Sequence, residues 1–233
     1  MDYSKKNKTF VLSLGGSLIV PPEGIDWQFL KKFRLLILEQ LKEGKRFYIV
    51  TGGGRTCRDY NEAASKIVKV PDDDLDWLGI HSTRLNAHLL RTIFRDVAYH
   101  EVIKNPTISF PTDKPVVISG GWKPGWSTDY MSAMIAQEYE IKSIINLSNI
   151  DYAYTKDPKK FKDAEKITHI SWPNFRKIVG NEWKPGLNMP FDPIASKKAE
   201  QLNLKVQILN GKNLKNLKNC LDDKKFEGTI IEC

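Results

Sequence analysis

The sequence predicts an α/β fold: a mostly parallel, buried central sheet covered by helices on both faces, a three-layer αβα sandwich. Three observations predict it. Short apolar runs rich in β-branched and aromatic residues recur at 9–14, 47–51, 116–119, 143–147 and 206–209. Stretches with helical spacing lie between them, which is the order of βαβ units. Three of the runs end in glycines, at Gly15-Gly16, Gly52-Gly53-Gly54 and Gly120-Gly121.

Taken in order, the run 9–14 reads as the first strand, leading into Gly15-Gly16-Ser17. The clearest helix begins with Asp26 as N-cap and puts Phe29, Leu30, Phe33, Leu36, Ile37 and Leu41 on one stripe. It ends at Gly44, with Lys42 and Lys45 nearby. A second strand, 47–51, leads into Gly52-Gly53-Gly54 and a second helix. A third helix is predicted from about Leu75 to Asp96, after the acidic turn Pro71-Asp72-Asp73-Asp74. Further helix starts follow Ser127, Ser171 with Pro173, and Asp192 with Pro193 at the first helical position. Residues 150–190 have the weakest pattern and many Lys, Asp and Pro, which suits a lid over a bound ligand.

Composition narrows the functions. A chain of 233 residues, 41% hydrophobic, buries a sizeable core as one folded unit. The net charge of +8 suits anionic ligands, but Lys-rich stretches at 5–8, 159–166 and 212–218 read as solvated faces. No RNP-like or helix-turn-helix context supports nucleic-acid binding. Cys57, Cys220 and Cys233 have no CxxC spacing and no nearby His pair, so neither a disulfide framework nor a zinc site is indicated, and a reducing cytoplasm fits. The apolar run 10–20 after Lys5, Lys6 and Lys8 is broken by Gly15-Gly16 and followed by Pro21-Pro22, unlike a secretion signal. No run reaches the ~18–20 apolar residues of a membrane span.

The repeated glycines carry the chemistry. A strand ending in glycine lets backbone N–H groups approach phosphate oxygens with no Cβ in the way, and a following helix N-terminus adds positive potential. In open α/β sheets such loops gather at the carboxyl edge of the strands. None matches the Walker-type loop or the G-x-G-x-x-G dinucleotide fingerprint.

Longer motifs make the reading specific. The segment Gly52-Gly53-Gly54-Arg55-Thr56-Cys57-Arg58 resembles the GGGxxxR element of UMP kinases, and residues 76–87 resemble their D-x-x-G-I-x-x-T-R-x-N-A helix in its archaeal-type form. The resemblance continues in order through Gly120-Gly121, Ser127-Thr128-Asp129, Ser148-Asn149-Ile150-Asp151, Tyr154-Thr155-Lys156-Asp157-Pro158, Asp192-Pro193-Ile194-Ala195 and Gly228-Thr229-Ile230-Ile231. It implies the amino-acid kinase fold in a single domain over 1–233, with an acceptor half at about 9–140 and an ATP half at about 141–233.

By position, the resemblance implies that Gly16, Ser17, Gly54, Arg58, Ser148, Tyr154 and Asp157 meet ATP. Gly53, Asp76 and the loop Trp122, Lys123, Pro124, Gly125, Trp126, Ser127 and Thr128 meet UMP. Arg58 and Asp192 are the implied catalytic residues, with Mg²⁺ bridging the ATP phosphates and a homohexamer as the assembly. The residues themselves allow these roles alongside plainer ones. Arg58 can fork onto phosphate oxygens or form a surface ion pair. Asp76 can accept from ribose hydroxyls or complement a helix dipole. Ser127 and Thr128 can cap a helix while facing a phosphate. Tyr154 can cover adenine or fill a core gap, and Asp192 can be an N-cap or an active-site carboxylate reaching Mg²⁺ through water.

Two departures stand out. Many relatives hold a lysine two residues before Gly15-Gly16, and this chain has Ser13, leaving Lys123, Lys156, Lys159 or Lys160 to supply the charge. Trp122 and Trp126 flank Pro124-Gly125, where smaller or more polar residues are expected; they can stack on a base or on a neighbouring subunit, or simply pack. His81 and His88 read as helix-face residues, and Cys57 as a buried thiol. Isopentenyl phosphate kinase, of the same fold, is an alternative, although that family places a histidine at the acceptor phosphate. A non-catalytic nucleotide or oxyanion (molybdate or tungstate) storage protein is another.

Overall fold

In the computed structural model, which describes residues 8–109, 112–158, 160–182 and 189–233, the five expected strands all form. The order opens with β1 (Thr9–Leu14), α1 (Gly16–Ile19), α2 (Trp27–Lys42), β2 (Arg46–Thr51), α3 (Gly54–Ile67) and α4 (Asp72–Ile93). Next come β3 (Ala98–Ile103), β4 (Val116–Ser119), α5 (Thr128–Glu138) and β5 (Ser143–Ser148). After these lie β6 (Ala153–Tyr154), β7 (Lys166–Ile167), β8 (His169–Ser171) and α6 (Trp172–Val179). The chain closes with α7 (Pro193–Gln201), β9 (Lys205–Asn210), α8 (Leu214–Leu221) and β10 (Thr229–Glu232).

Eight strands form one sheet in the order β3-β4-β2-β1-β5-β9-β10-β8. Pairing is parallel from β3 through β9; β10 runs antiparallel to β9, and β8 runs parallel to β10. Alternation along β1 explains the three layers. Phe10, Leu12 and Leu14 face the cluster built with Phe33 and Ile37 of α2, Leu90 of α4 and Leu217 of α8. Val11 faces the opposite cluster, with Ile135 of α5, Phe175 of α6 and Ala195 of α7. Ser13 falls on that second face and is buried.

Local signals account for the helix ends. The Asp26 carboxylate accepts from Phe29 N at 2.8 Å, and Gly44 takes the left-handed φ of +80° just past the end of α2. Phe33, fully buried on that helix, contributes about 3–5 kcal/mol relative to Ala.

Three expectations need correction. Asp72, Asp73 and Asp74 form the first turn of α4 rather than a turn before it, where their charge complements the helix dipole; the helix stops at Ile93, short of Asp96. The edge strand β3 escapes a hydrophobicity pattern because His100 and Glu101 are exposed and its register with β4 shifts between Ala98 and Val102. The stretch 150–190 is not one lid. β6 and β7 pair as a small antiparallel ribbon, whereas β8 joins the main sheet and α6 buries Trp172 and Phe175 completely, with Trp172 Nε1 donating to Leu204 O at 2.8 Å. Residues 183–188 of that stretch lie outside the described residues.

Candidate active site

The parallel strands β1, β2, β4, β5 and β9 end at one edge of the sheet, in Leu14, Thr51, Ser119, Ser148 and Asn210. The three glycine turns therefore meet there, as expected. Glycines of the first two turns serve one another as well as any ligand. A Cβ on Gly16 would overlap the backbone of Gly52, Gly53 and Gly54, and one on Gly52 would overlap Gly16 N. Gly54 takes a φ of +66° as α3 begins. A fourth turn, missed in the sequence because it holds a single glycine, follows β9: Gly211 N donates to Ser148 O at 2.9 Å.

The helix α4 holds these turns by side chains. Asn86 Nδ2 donates to Gly52 O at 2.8 Å and to Gly53 O at 3.2 Å. Thr83 Oγ1 accepts from Gly121 N at 2.7 Å. Arg84 donates from Nε to Gly121 O at 3.1 Å and from its terminal nitrogen to Trp122 O at 2.8 Å. Asp76 Oδ2 accepts from Gly125 N at 2.7 Å, where the chain turns with a φ of +81°. The motif quoted from this helix is thus largely a clamp on the loop 120–128.

That loop carries an aromatic stack. The Trp122 and Trp126 rings lie 6.1 Å apart, and Trp126 lies 4.0 Å from Tyr130, one turn further along. Trp122 and Tyr130 also pack against the second core cluster. Lys123 is exposed, with Nζ 4.4 Å from the Trp122 ring centre and 5.9 Å from that of Trp126. Ser127 caps α5 by accepting from Tyr130 N at 3.0 Å.

Beneath the loop two acids meet. Asp129 Oδ1 accepts from Ser13 Oγ and from Asn146 Nδ2, each at 3.2 Å, and its Oδ2 accepts from Asp192 N at 3.2 Å. Asp192, buried, is the N-cap of α7, accepting from Ile194 N at 2.8 Å and Ala195 N at 2.9 Å, while its other oxygen accepts from Ser127 Oγ. Among the described residues every donor to the pair is neutral. Burial, and then the Asp192 charge, push Asp129 up to about 7; burial also pushes Asp192 up against its hydrogen bonds. Asp129 was not singled out in the sequence, where it reads as an acidic residue in the first turn of a helix.

Other predicted residues stand apart from this cluster. Arg58 is exposed on α3, and among the described residues it has no carboxylate within ion-pair distance; the nearby pair is Arg55 with Asp59 at 2.5 Å. Gly16 and Ser17 open α1, and Gly53 precedes Gly54 at the start of α3. Ser148 closes β5. Tyr154 pairs with Lys166 on the β6–β7 ribbon, and Asp157 follows on an exposed turn. Of the proposed substitute cations, Lys156 pairs with Asp163 at 2.5 Å and Lys160 with Asp157 at 4.0 Å; Lys159 lies outside the described residues. Burial pushes the Cys57 thiol up, as suits a packing role. Among the described residues no group of three or more His, Cys, Asp or Glu is placed to hold a metal, and no helix is long and apolar enough to cross a membrane.

Known proteins share both sequence and shape with this chain. The family model described as the amino acid kinase family matches residues 8–210. The uridylate kinase of Pyrococcus abyssi is 33% identical over 225 residues, 95% of this chain and 98% of that protein. The uridylate kinase of Sulfurisphaera tokodaii is 35% identical over 196 residues, 82% of this chain and 86% of its own. The crystal structure of a uridylate kinase from Archaeoglobus fulgidus matches with a TM-score of 0.81 at 28% identity, covering 95% of this chain and 99% of that one. The UMP kinase structure from Bacillus anthracis, 20% identical, matches in fold with a TM-score of 0.78 over 98% of this chain and 97% of that one.

Proposed function

The chain belongs to the amino acid kinase family, among its uridylate kinases, and from that premise we propose that it is a UMP kinase. The reaction is Mg²⁺-dependent transfer of the ATP γ-phosphoryl group to UMP, giving ADP and UDP by direct in-line displacement, a step of pyrimidine nucleotide biosynthesis. The observation that carries this reading is the end-to-end match to uridylate kinases, 95% of this chain against 98% of the Pyrococcus abyssi protein. Neither isopentenyl phosphate kinase nor a storage protein is favoured by such relatives.

Phosphoryl transfer asks the protein for positioning and charge neutralisation rather than covalent help. In this reading the glycine turns at 15–17 and 52–54 cradle the ATP phosphates, and Arg58, with no ion-pair partner among the described residues, forks onto them. Ser148, Tyr154 and Asp157 line the adenosine side. The acceptor phosphate lies at the N-terminus of α5 near Ser127 and Thr128, within the loop from Trp122 to Trp126, while Gly53 closes on it. Asp76, whose Oδ2 already holds Gly125 N, offers its other oxygen to a ribose hydroxyl. The acceptor half then spans about 9–140 and the ATP half about 141–233.

The residues present fit Mg²⁺. It favours one or two carboxylates with phosphate oxygens and water over an all-protein cage, and Asp129 and Asp192 bring two carboxylates together, with neutral donors alone around them among the described residues. When bound, the metal supplies charge neutralisation along the ATP phosphates. Asp192 would hold it, and Asp129 fixes Asp192 by accepting from its backbone N–H. The three free cysteines suit the reducing cytoplasm in which we place the enzyme, as a homohexamer.

A coupled ADP-release assay with Mg-ATP and a panel of UMP, CMP, dUMP, AMP, GMP and isopentenyl phosphate tests the reading. Turnover confined to UMP is expected. Tight ATP binding with no turnover on any acceptor would overturn it in favour of storage.

A further inference from the structure

Resting on the acceptor site proposed above, we propose that Lys123 is the mobile cation of that site: it rests on the indole faces of Trp122 and Trp126 and leaves them to neutralise the phosphate of the bound nucleotide. The need arises at Ser13, which presents a hydroxyl to Asp129 and brings no positive charge to the sheet edge. Of the other lysines considered for this task, Lys156 pairs with Asp163 and Lys160 with Asp157, and Lys159 lies outside the described residues. Arg84 is spent on the carbonyls of Gly121 and Trp122. Lys123 faces no such competition. Among the described residues no carboxylate lies within ion-pair distance of it, and its ammonium is held by ring faces alone.

The loop is built so that the side chain moves and the backbone stays. On one side Gly121 and Trp122 are fixed by Thr83 and Arg84; on the other, Gly125 is fixed by Asp76. Only Lys123 and Pro124 lie between the two clamps, and the proline ring restricts its own φ. A four-carbon stem rooted there swings about a fixed point. The two binding modes differ enough in strength to drive the swing, since an exposed cation–π contact is weak beside an ammonium on a phosphate. The indoles keep the ammonium near the loop and away from surface carboxylates while the site is empty. Ser127 and Thr128, at the start of α5, follow in the same loop, so the lysine and the helix N-terminus address one anion.

Departure of a cation from an indole face alters tryptophan emission, which gives a readout independent of turnover. The experiment is a titration of the full chain at constant ionic strength with UMP and with uridine, in the wild type, Lys123→Met and Lys123→Arg, with circular dichroism as the folding check. The wild type should show a saturable emission change with UMP and none with uridine. Lys123→Met should lose that change and lower kcat/KM for UMP about 10- to 100-fold, with Lys123→Arg recovering part of both. The same UMP-dependent emission change in Lys123→Met, or none in the wild type, would overturn the proposal even in an enzyme that phosphorylates UMP. If the wild type phosphorylates no acceptor, the kinase reading fails separately, and inorganic phosphate replaces UMP as the titrant. A saturable change lost in Lys123→Met then supports the lysine's role, and no change overturns it.

Discussion

Ser13 donates its hydroxyl to Asp129 across 3.2 Å, at the position where the family resemblance leads one to expect a lysine. The donor is neutral rather than cationic, and burial, followed by the neighbouring Asp192 charge, outweighs the hydrogen bonds from Asp192 N and Ser13 and pushes Asp129 up to about 7. An unfolded aspartate titrates near about 3.9. Because the folded value is raised, protonation favours the folded state. The contribution is complete below about pH 4 and is lost as pH rises through about 7.

Asp129→Asn is neutral at this position throughout, so in metal-free buffer its stability relative to wild type should rise by on the order of 4 kcal/mol from about pH 4 to about pH 8. Thermal unfolding across that range measures the difference. Two parallel profiles would show that the pair does not titrate there. Mg²⁺ should flatten the wild-type profile, since a dication meets the same charge, and Ser13→Lys should flatten it without metal.

Arg84 invites a second prediction, because it holds two carbonyls of the acceptor loop at 3.1 and 2.8 Å. Arg84→Ala leaves both without their charged donor and should cost about 1.5–3 kcal/mol in denaturant unfolding. The freed loop should raise KM for UMP well above any change in KM for ATP. Lysine has no planar fork, so Arg84→Lys should restore less than half of either loss.

These residues show what the sequence made legible. Runs such as 9–14 and 116–119 are apolar on both faces and flanked by glycine, so the parallel sheet could be read from them, and Asp26, Ser127 and Asp192 announced their helices as caps. Edge strand β3 could not, because His100 and Glu101 in its middle face solvent. The acidic pair was hidden for a different reason. Asp129 is joined to Asn146 across 17 residues and to Asp192 across 63, contacts that only the stacking of α5 and α7 on β1 and β5 brings about. The glycine turns were recognised but assigned only to phosphate, whereas Gly16, Gly52 and Gly54 lie closest to one another and Gly120 and Gly121 lie against α4.

That mutual packing separates two glycines that look alike in sequence. Gly16→Ala would drive a Cβ into the backbone of Gly52–Gly54, which has no rotamer with which to yield, and should cost at least about 4 kcal/mol or abolish folding. Gly125→Ala meets open space and carries only the strain of its φ of +81°, about 1–2 kcal/mol. Soluble yield and urea unfolding of the two variants provide the comparison; equal losses would show that the turns do not pack as described.

Asp76 joins the clamp to the substrate, and its two oxygens can be tested apart. Oδ2 is committed to Gly125 N at 2.7 Å, leaving Oδ1 for a ribose hydroxyl. Asp76→Asn keeps an oxygen for the glycine but presents an amide to the ribose with no negative charge. It should raise KM for UMP about tenfold, hold KM for ATP within about twofold, and leave the melting temperature unchanged. Asp76→Ala also releases Gly125, so kcat should fall as well, because the helix N-terminus and Lys123 would no longer be held against the same phosphate. Steady-state kinetics with each substrate varied in turn separates the outcomes. Equal rises in both KM values for Asp76→Asn would place the carboxylate away from the acceptor and confine it to its structural bond.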